Sequence, residues 1–307
     1  RKLIVLDLNG TLVLRSAHQK RNPYVNPTQQ RPLRTVHPRP YLSSFVSFVL
    51  HPDTKKWLDV MVWSSAQPHS VDDMVQKSFK ERRKELKAVW ARDTLGLSGD
   101  DYYQKTQTVK DLEKPPSLTL EEDKPRHSAK TTLLVDDSPL KAILQPWNHL
   151  CIPEYVQEMR RLDLAQRASG SNSASASAPS SASVSSNELV QEKPDVQLPE
   201  STSAVGNRRA SDEPAPVEAP IQYDPTLLAV IGILDHLKHE ENVASWMHSG
   251  GLLHAPTSAS SSSSTPTLDH TNKQKLWFEH PTVLAYWASR GREALQQLEL
   301  EVTSGVE

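Results

Sequence analysis

Cysteine is almost missing from this chain. Cys151 is the single one in 307 residues, which excludes an intramolecular disulfide and fits a reducing compartment. Aromatics make up 6% and hydrophobic residues 36%, too few for the whole length to be packed core. No apolar run approaches the roughly 20 residues that span a bilayer. An excess of one charge is lacking as well: 35 Lys and Arg against 37 Asp and Glu leave −2, so no global field draws nucleic acid or an anionic membrane. The local run Lys80-Glu81-Arg82-Arg83-Lys84 reads as a solvated helix face. The chain starts at Arg1 and not at Met, which leaves an upstream targeting segment or anchor open.

What is present begins at the first residues, Lys2-Leu3-Ile4-Val5-Leu6-Asp7-Leu8-Asn9-Gly10-Thr11-Leu12. Four apolar residues without a charge, closed by a Gly-Thr turn, predict a short buried strand. A carboxylate at the C-terminal end of such a strand sits where open α/β sheets place their ligands. There Asp7 can act as a nucleophile or a metal ligand, or simply cap a turn. Residues 16–40 are polar and Pro-rich, a long connection. Pro40 to Leu50 then reads as an amphipathic helix. Trp57 to Trp63 is a second buried strand ending in Ser64-Ser65, and Val71 to Leu86 a charged helix. Leu133-Leu134-Val135 is a third strand, ending in Asp136-Asp137-Ser138-Pro139. Strands alternating with helices predict an α/β fold with a parallel sheet.

From about 167 to 220 Ser, Ala, Pro, Glu and Val dominate, a composition that predicts a disordered insertion. Within it Arg208-Arg209-Ala210-Ser211 suits a basophilic kinase, although so short a motif is common by chance. Order is expected again over 221–253, where Asp224 can cap a helix whose Leu227, Val230, Ile231, Leu234 and Leu237 share one face. A low-complexity linker is expected over 254–275. A final amphipathic helix within 276–307, carrying Pro281, Val283, Leu284, Trp287, Leu295 and Leu298, either packs back on the core or docks a partner.

Asp7, Ser64, Lys110 and Asp136-Asp137 are the parts needed for phosphoryl transfer through an aspartyl-phosphate. A carboxylate attacks phosphorus, carboxylates hold a hard cation, and a hydroxyl and an ammonium steady the phosphoryl oxygens. The oxygen-only ligand set suits Mg²⁺, whereas one Cys and scattered His residues offer no zinc-like cluster.

In these motifs the sequence resembles the haloacid-dehalogenase superfamily, with its Rossmann-like parallel sheet. Within it the likeness is to the small C-terminal-domain phosphatases of RNA polymerase II, the NLI-interacting-factor-like branch with an FCP-type homology domain. Asp7-Leu8-Asn9-Gly10-Thr11-Leu12 resembles the branch's Asp-x-Asp-Gly-Thr-Leu, and Arg39-Pro40-Tyr41 its Arg-Pro-x segment. Val62-Trp63-Ser64-Ser65-Ala66 is similar to its hydrophobic-Thr/Ser-Ala-Ser motif. Val109-Lys110-Asp111-Leu112 matches its Val-Lys-Asp-Leu, and Val135-Asp136-Asp137-Ser138-Pro139 its Asp-Asn/Asp-Ser-Pro. The stretch from Asp224 to Trp246 is similar to the closing helices, which would make 167–220 an insertion inside one domain. The resemblance implies Asp7 as nucleophile, Ser64, Ser65 and Lys110 on the substrate phosphate, and Mg²⁺ held by Asp7, Asp136, Asp137 and the backbone carbonyl of Asn9.

One position departs from the branch. Asn9 stands where the family has a second Asp, which protonates the leaving group and then deprotonates the attacking water. An amide can hydrogen-bond the leaving oxygen but cannot exchange a proton near neutral pH. Losing such help costs roughly 10²–10⁴-fold. The dehalogenase-fold ATP-driven pumps also lack this Asp and hold a long-lived aspartyl-phosphate, so its replacement here need not mean complete loss of reactivity. His69 is a substitute base that nothing in the sequence positions. The expectation is therefore a Mg²⁺-dependent phosphatase of phosphoserine or phosphothreonine proteins in nucleus or cytoplasm, impaired at its acid–base step. The alternative is a phosphatase-like binding module, including the type found in the mitochondrial inner-membrane protein translocase.

Overall fold

A computed structural model describes residues 1–17, 33–114, 127–175, 223–253 and 275–306. Strand β1 (Lys2–Leu6) carries the apolar run and lies at the centre of the main sheet. Just past Asp7 a small antiparallel ribbon forms from β2 (Val13–Arg15) and β3 (Val36–Pro38). The sequence reading had only a connection there, because three-residue strands carry too little periodicity to be seen. The chain continues through α1 (Leu42–Val49), α2 (Pro52–Lys55), β4 (Leu58–Trp63), α3 (Pro68–Phe79), β5 (Val89–Trp90) and α4 (Gly99–Tyr103). After these come β6 (Thr132–Asp136), β7 (His149–Cys151), α5 (Gln157–Ser175), α6 (Thr226–Leu237), α7 (Val243–His248) and α8 (Pro281–Gln297).

The five sheet strands run in the order β5-β4-β1-β6-β7, every pair parallel. This is the α/β architecture that the alternating pattern predicts, a central parallel sheet with flanking helices. Side chains alternate across β1 with the period of two that a strand imposes. Ile4 and Leu6 face the larger core together with Val60, Val62, Leu133, Val135 and the helices α1, α3, α6 and α8. Leu3 and Val5 face the smaller one, with Met61, Trp63, Leu134, Leu95, Leu112 and Ala142. Burial on both faces is why these strands read as unbroken apolar runs.

Helices α1 and α3 have other bounds than the sequence pattern predicts, α3 starting already at Pro68. Helix α1 starts at Leu42 and not at Pro40, because Tyr41 takes a left-handed conformation (φ 64°) and turns the chain. Helix α3 stops at Phe79, and Lys80 (φ 51°) breaks it before a 3-10 turn over Lys80–Glu85. Helix α5 continues to Ser175, past residue 167 where the low-complexity composition begins; Ala165 and Ala168 favour that continuation. The rest of the expected insertion, the Ser211 motif included, lies outside the described residues, as does most of 254–275.

The C-terminal helix packs back on the core. Helices α6 and α8 meet at two glycines with backbone in contact. A Cβ on Gly232 would lie 2.2 Å from the Trp287 carbonyl, and one on Gly291 1.9 Å from the Leu228 carbonyl. Trp287, Ala288, Ala294 and Leu295 of α8 are buried there. Trp277 donates its Nε1–H to the Cys151 carbonyl at the end of β7 (2.7 Å). The tail returns along α1, where Tyr41 N–H donates to Ser304 O (2.8 Å) and Thr303 N–H to Ser44 Oγ (2.9 Å). Asp224 accepts from the Thr226 N–H (3.1 Å) and hydroxyl (2.6 Å) at the start of α6. Among the described residues no helix is long and apolar enough to cross a membrane.

Candidate active site

Parallel strands all deliver their C-terminal ends to one edge of the sheet. Leu6 pairs with Val62 of β4 on one side and Val135 of β6 on the other. Asp7 and Asp136, which follow directly, and Ser64, the first residue past β4, therefore emerge at the same edge. Carboxylate oxygens of Asp7, Asp136 and Asp137 all lie within 4.8 Å of one another. Lys110 enters from the loop before β6, fully buried, and donates from Nζ to Asp7 Oδ1 (2.8 Å) and Asp136 Oδ2 (2.6 Å). Four residues singled out in the sequence thus converge on one point.

The surroundings fix each group. Asp136 Oδ1 accepts from the Ser138 N–H (2.9 Å), which curls the strand end into a turn. Thr11 Oγ1 donates to Asp137 Oδ1 (2.9 Å), tying the first motif to the last. Gly10 has φ 90°, a conformation that strains residues with a Cβ. A Cβ there would also sit 2.9 Å from the Asp137 carboxylate. Gln145 clamps the Lys110 loop: its Oε1 accepts from Leu112 N–H and its Nε2 donates to Asp111 Oδ1, both at 3.1 Å.

Arg39 is the keystone beneath. It is completely buried, and its Nη1 donates to the carbonyls of Thr11 (3.1 Å) and Pro153 (2.9 Å) and, more loosely, Gly10 (3.5 Å). Its Nε pairs with Asp224 Oδ2 at 2.6 Å, so the head of α6 is bolted to the Asp7 loop.

The electrostatics are those of a site short of positive charge. Burial pushes the Asp7 carboxyl up to about 6 in spite of Lys110. Burial, reinforced by Asp7 and Asp136, pushes Asp137 up to about 7. For Lys110 burial works against the ammonium, but Asp136 and Asp7 outweigh it and hold the amine above the ordinary lysine range. Three carboxylates around one ammonium, all offering oxygen, fit a hard divalent cation that would neutralise the excess. Asp7, Asp136 and Asp137 are the side chains placed to hold it.

Ser64 is buried, and among the described residues its Oγ accepts only a long hydrogen bond, from the Ala66 N–H at 3.4 Å. Ser65 is half-buried and meets Lys141 Nζ at 3.4 Å. Asn9 is also half-buried; its Oδ1 accepts from the Arg15 N–H of β2 (3.1 Å), which fixes the amide plane. His69 is exposed on the first turn of α3 and joins none of these contacts. Sequence reasoning missed Thr11, Lys141 and the clamping role of Arg39. A lysine five positions after Asp136, in the same strand-end loop, was the available signal for Lys141. Thr11 lay inside the quoted first motif.

The family model of the NLI interacting factor-like phosphatases matches residues 2–177, a span that contains every residue of this site. A Schizosaccharomyces pombe protein described as an uncharacterized FCP1 homology domain-containing protein is 32% identical over 169 residues. The match takes in 51% of this chain and 62% of the yeast protein, so it spans less than two thirds of that relative.

Proposed function

Because the chain belongs to the NLI interacting factor-like phosphatase family, we propose that it hydrolyses phosphate monoesters through Asp7, on phosphoserine or phosphothreonine of a protein or peptide, with Mg²⁺ as cofactor. The observation that carries the reading is Lys110 bridging Asp7 and Asp136, with Asp137 alongside, at the edge where parallel sheets bind ligands.

An Asp7 oxygen attacks phosphorus in line, the P–O bond to the serine or threonine breaks, and the phosphoryl group is left on Asp7 as a mixed anhydride. Lys110 holds the nucleophile ionised and oriented, and its remaining N–H is available to the phosphoryl oxygens. Ser64 Oγ, which lacks a strong partner, supplies a further donor. A cation held by Asp7, Asp136 and Asp137 would contribute charge neutralisation for the phosphoryl oxygens. The departing alkoxide needs a proton, and Asn9 offers only a hydrogen bond. Water must then attack the aspartyl-phosphate without a carboxylate at position 9 to deprotonate it, so this half of the reaction is the slower.

The test is hydrolysis of para-nitrophenyl phosphate with Mg²⁺ against an Asp7→Asn control. Equal rates in the two proteins refute the reading. A second reading, a phosphopeptide-binding module without turnover, is favoured by Asn9 alone. It predicts phosphopeptide binding with no phospho-Asp7 detected in a single-turnover experiment.

A further inference from the structure

Lys141 has no place in the mechanism above, yet it stands between the two loops that grip the phosphoryl group. It lies on the 3-10 turn Pro139–Ala142, directly after Asp136-Asp137-Ser138. Its carbonyl accepts the Lys110 N–H (2.7 Å) and its own N–H donates to Ser138 O (3.0 Å), so its backbone is fixed to both motifs. Its Nζ reaches back to Thr108 Oγ1 and, at 3.4 Å, to Ser65 Oγ. Those residues are two positions before Lys110 and one after Ser64.

We propose that Lys141 is a second cation of the phosphate pocket, whose ammonium binds a non-bridging oxygen of the substrate's phosphoryl group. Its two side-chain contacts are neutral hydroxyls, and among the described residues no carboxylate lies within ion-pair distance of it. A partly buried ammonium whose direct contacts are hydroxyls keeps a donor for an incoming anion. Lys110 cannot fill that role alone, since two of its three N–H bonds go to Asp7 and Asp136. A phosphoryl dianion arriving beside three carboxylates needs more positive charge than Lys110 supplies, and Lys141 is placed to provide it. The assignment deepens the phosphatase reading and rests on it for turnover, though not for anion binding.

The experiment compares wild type, Lys141→Met and Lys141→Arg in two assays: calorimetric titration with inorganic phosphate, and steady-state hydrolysis of para-nitrophenyl phosphate. A charged hydrogen bond of this kind corresponds to roughly tenfold or more in affinity. Phosphate binding is expected to weaken by about that factor in Lys141→Met, with a matching fall in kcat/KM, and to recover substantially in Lys141→Arg. Unchanged phosphate affinity in a folded Lys141→Met overturns the proposal. Should that variant not fold, acetylation of wild-type Lys141 followed by mass spectrometry decides. Protection by phosphate supports the assignment, and equal labelling with and without phosphate overturns it. Lys141-dependent phosphate binding without turnover would refute the phosphatase reading alone; robust turnover indifferent to Lys141 would refute this assignment alone.

Discussion

Replacing Asn9 by Asp supplies the carboxylate that the motif resemblance leads one to expect two residues after Asp7. Asn9 Oδ1 already accepts the Arg15 N–H at 3.1 Å, and a carboxylate oxygen can accept the same bond, so the side chain need not move. The substitution adds a negative charge near Asp7, Asp136 and Asp137. Their repulsion should raise the new carboxyl above its usual range, which suits a group that must deliver a proton. Acid–base help is worth roughly 10²–10⁴ in rate, or about 2.7–5.5 kcal/mol of barrier. The gain should fall on both halves of the reaction. Single-turnover mixing with a phosphorylated substrate, followed by acid quench, measures phospho-Asp7 formation and decay separately. In the wild type the covalent intermediate should accumulate, and in Asn9→Asp it should decay within the formation phase. The cost is stability, since a fourth acid joins a site already short of cations; Mg²⁺ should recover most of that loss. Equal decay rates in the two proteins would show that residue 9 does not stand in the proton path, and the account of impaired turnover would fall.

Metal-free protein should lose stability as pH rises from about 4 to above 7. Asp7 and Asp137 carry folded-state values of about 6 and 7 against an ordinary 3.8, so the folded form holds protons that the unfolded form has released. Thermal melts in chelator across that range should show the decline and Asp137→Asn should flatten it; no change in slope would contradict the buried cluster. Arg39→Met should destabilise by about 3–5 kcal/mol, because Asp224 is left buried and unpaired, and urea unfolding gives the value. A loss under 1 kcal/mol would deny Arg39 its clamping role. Gly291→Ala forces a methyl to within 1.9 Å of the Leu228 carbonyl and should cost about 1–3 kcal/mol or more by prying α8 from α6, read as a lowered Tm. A Tm at the wild-type value would mean that the two backbones do not meet there.

Much of the fold was legible because burial writes itself into local pattern. Leu3 to Leu6, Leu58 to Trp63 and Thr132 to Asp136 are apolar on both faces, so they read as strands of a covered sheet. Runs of five or six residues are too short to fix the strand ends, and Lys80 broke a helix that its composition would have continued. The convergence of Asp7, Lys110, Asp136 and Asp137 was expected from the order of the motifs, and their oxygens do meet within hydrogen-bonding and ligand distance.

By itself the sequence determined which residues could do chemistry, the order in which strand ends would present them, and that an amide, which cannot exchange a proton near neutral pH, stands at position 9. Those are properties of residue type and near neighbours. Only the tertiary structure decided that Arg39 joins the first loop to a helix 185 residues away, and that α8 seats on α6 through two glycines. It also decided that the Lys141 ammonium reaches back to the hydroxyls of Thr108 and Ser65. Each depends on contacts between segments distant in the chain, and their geometry follows from how the whole sheet and its helices pack.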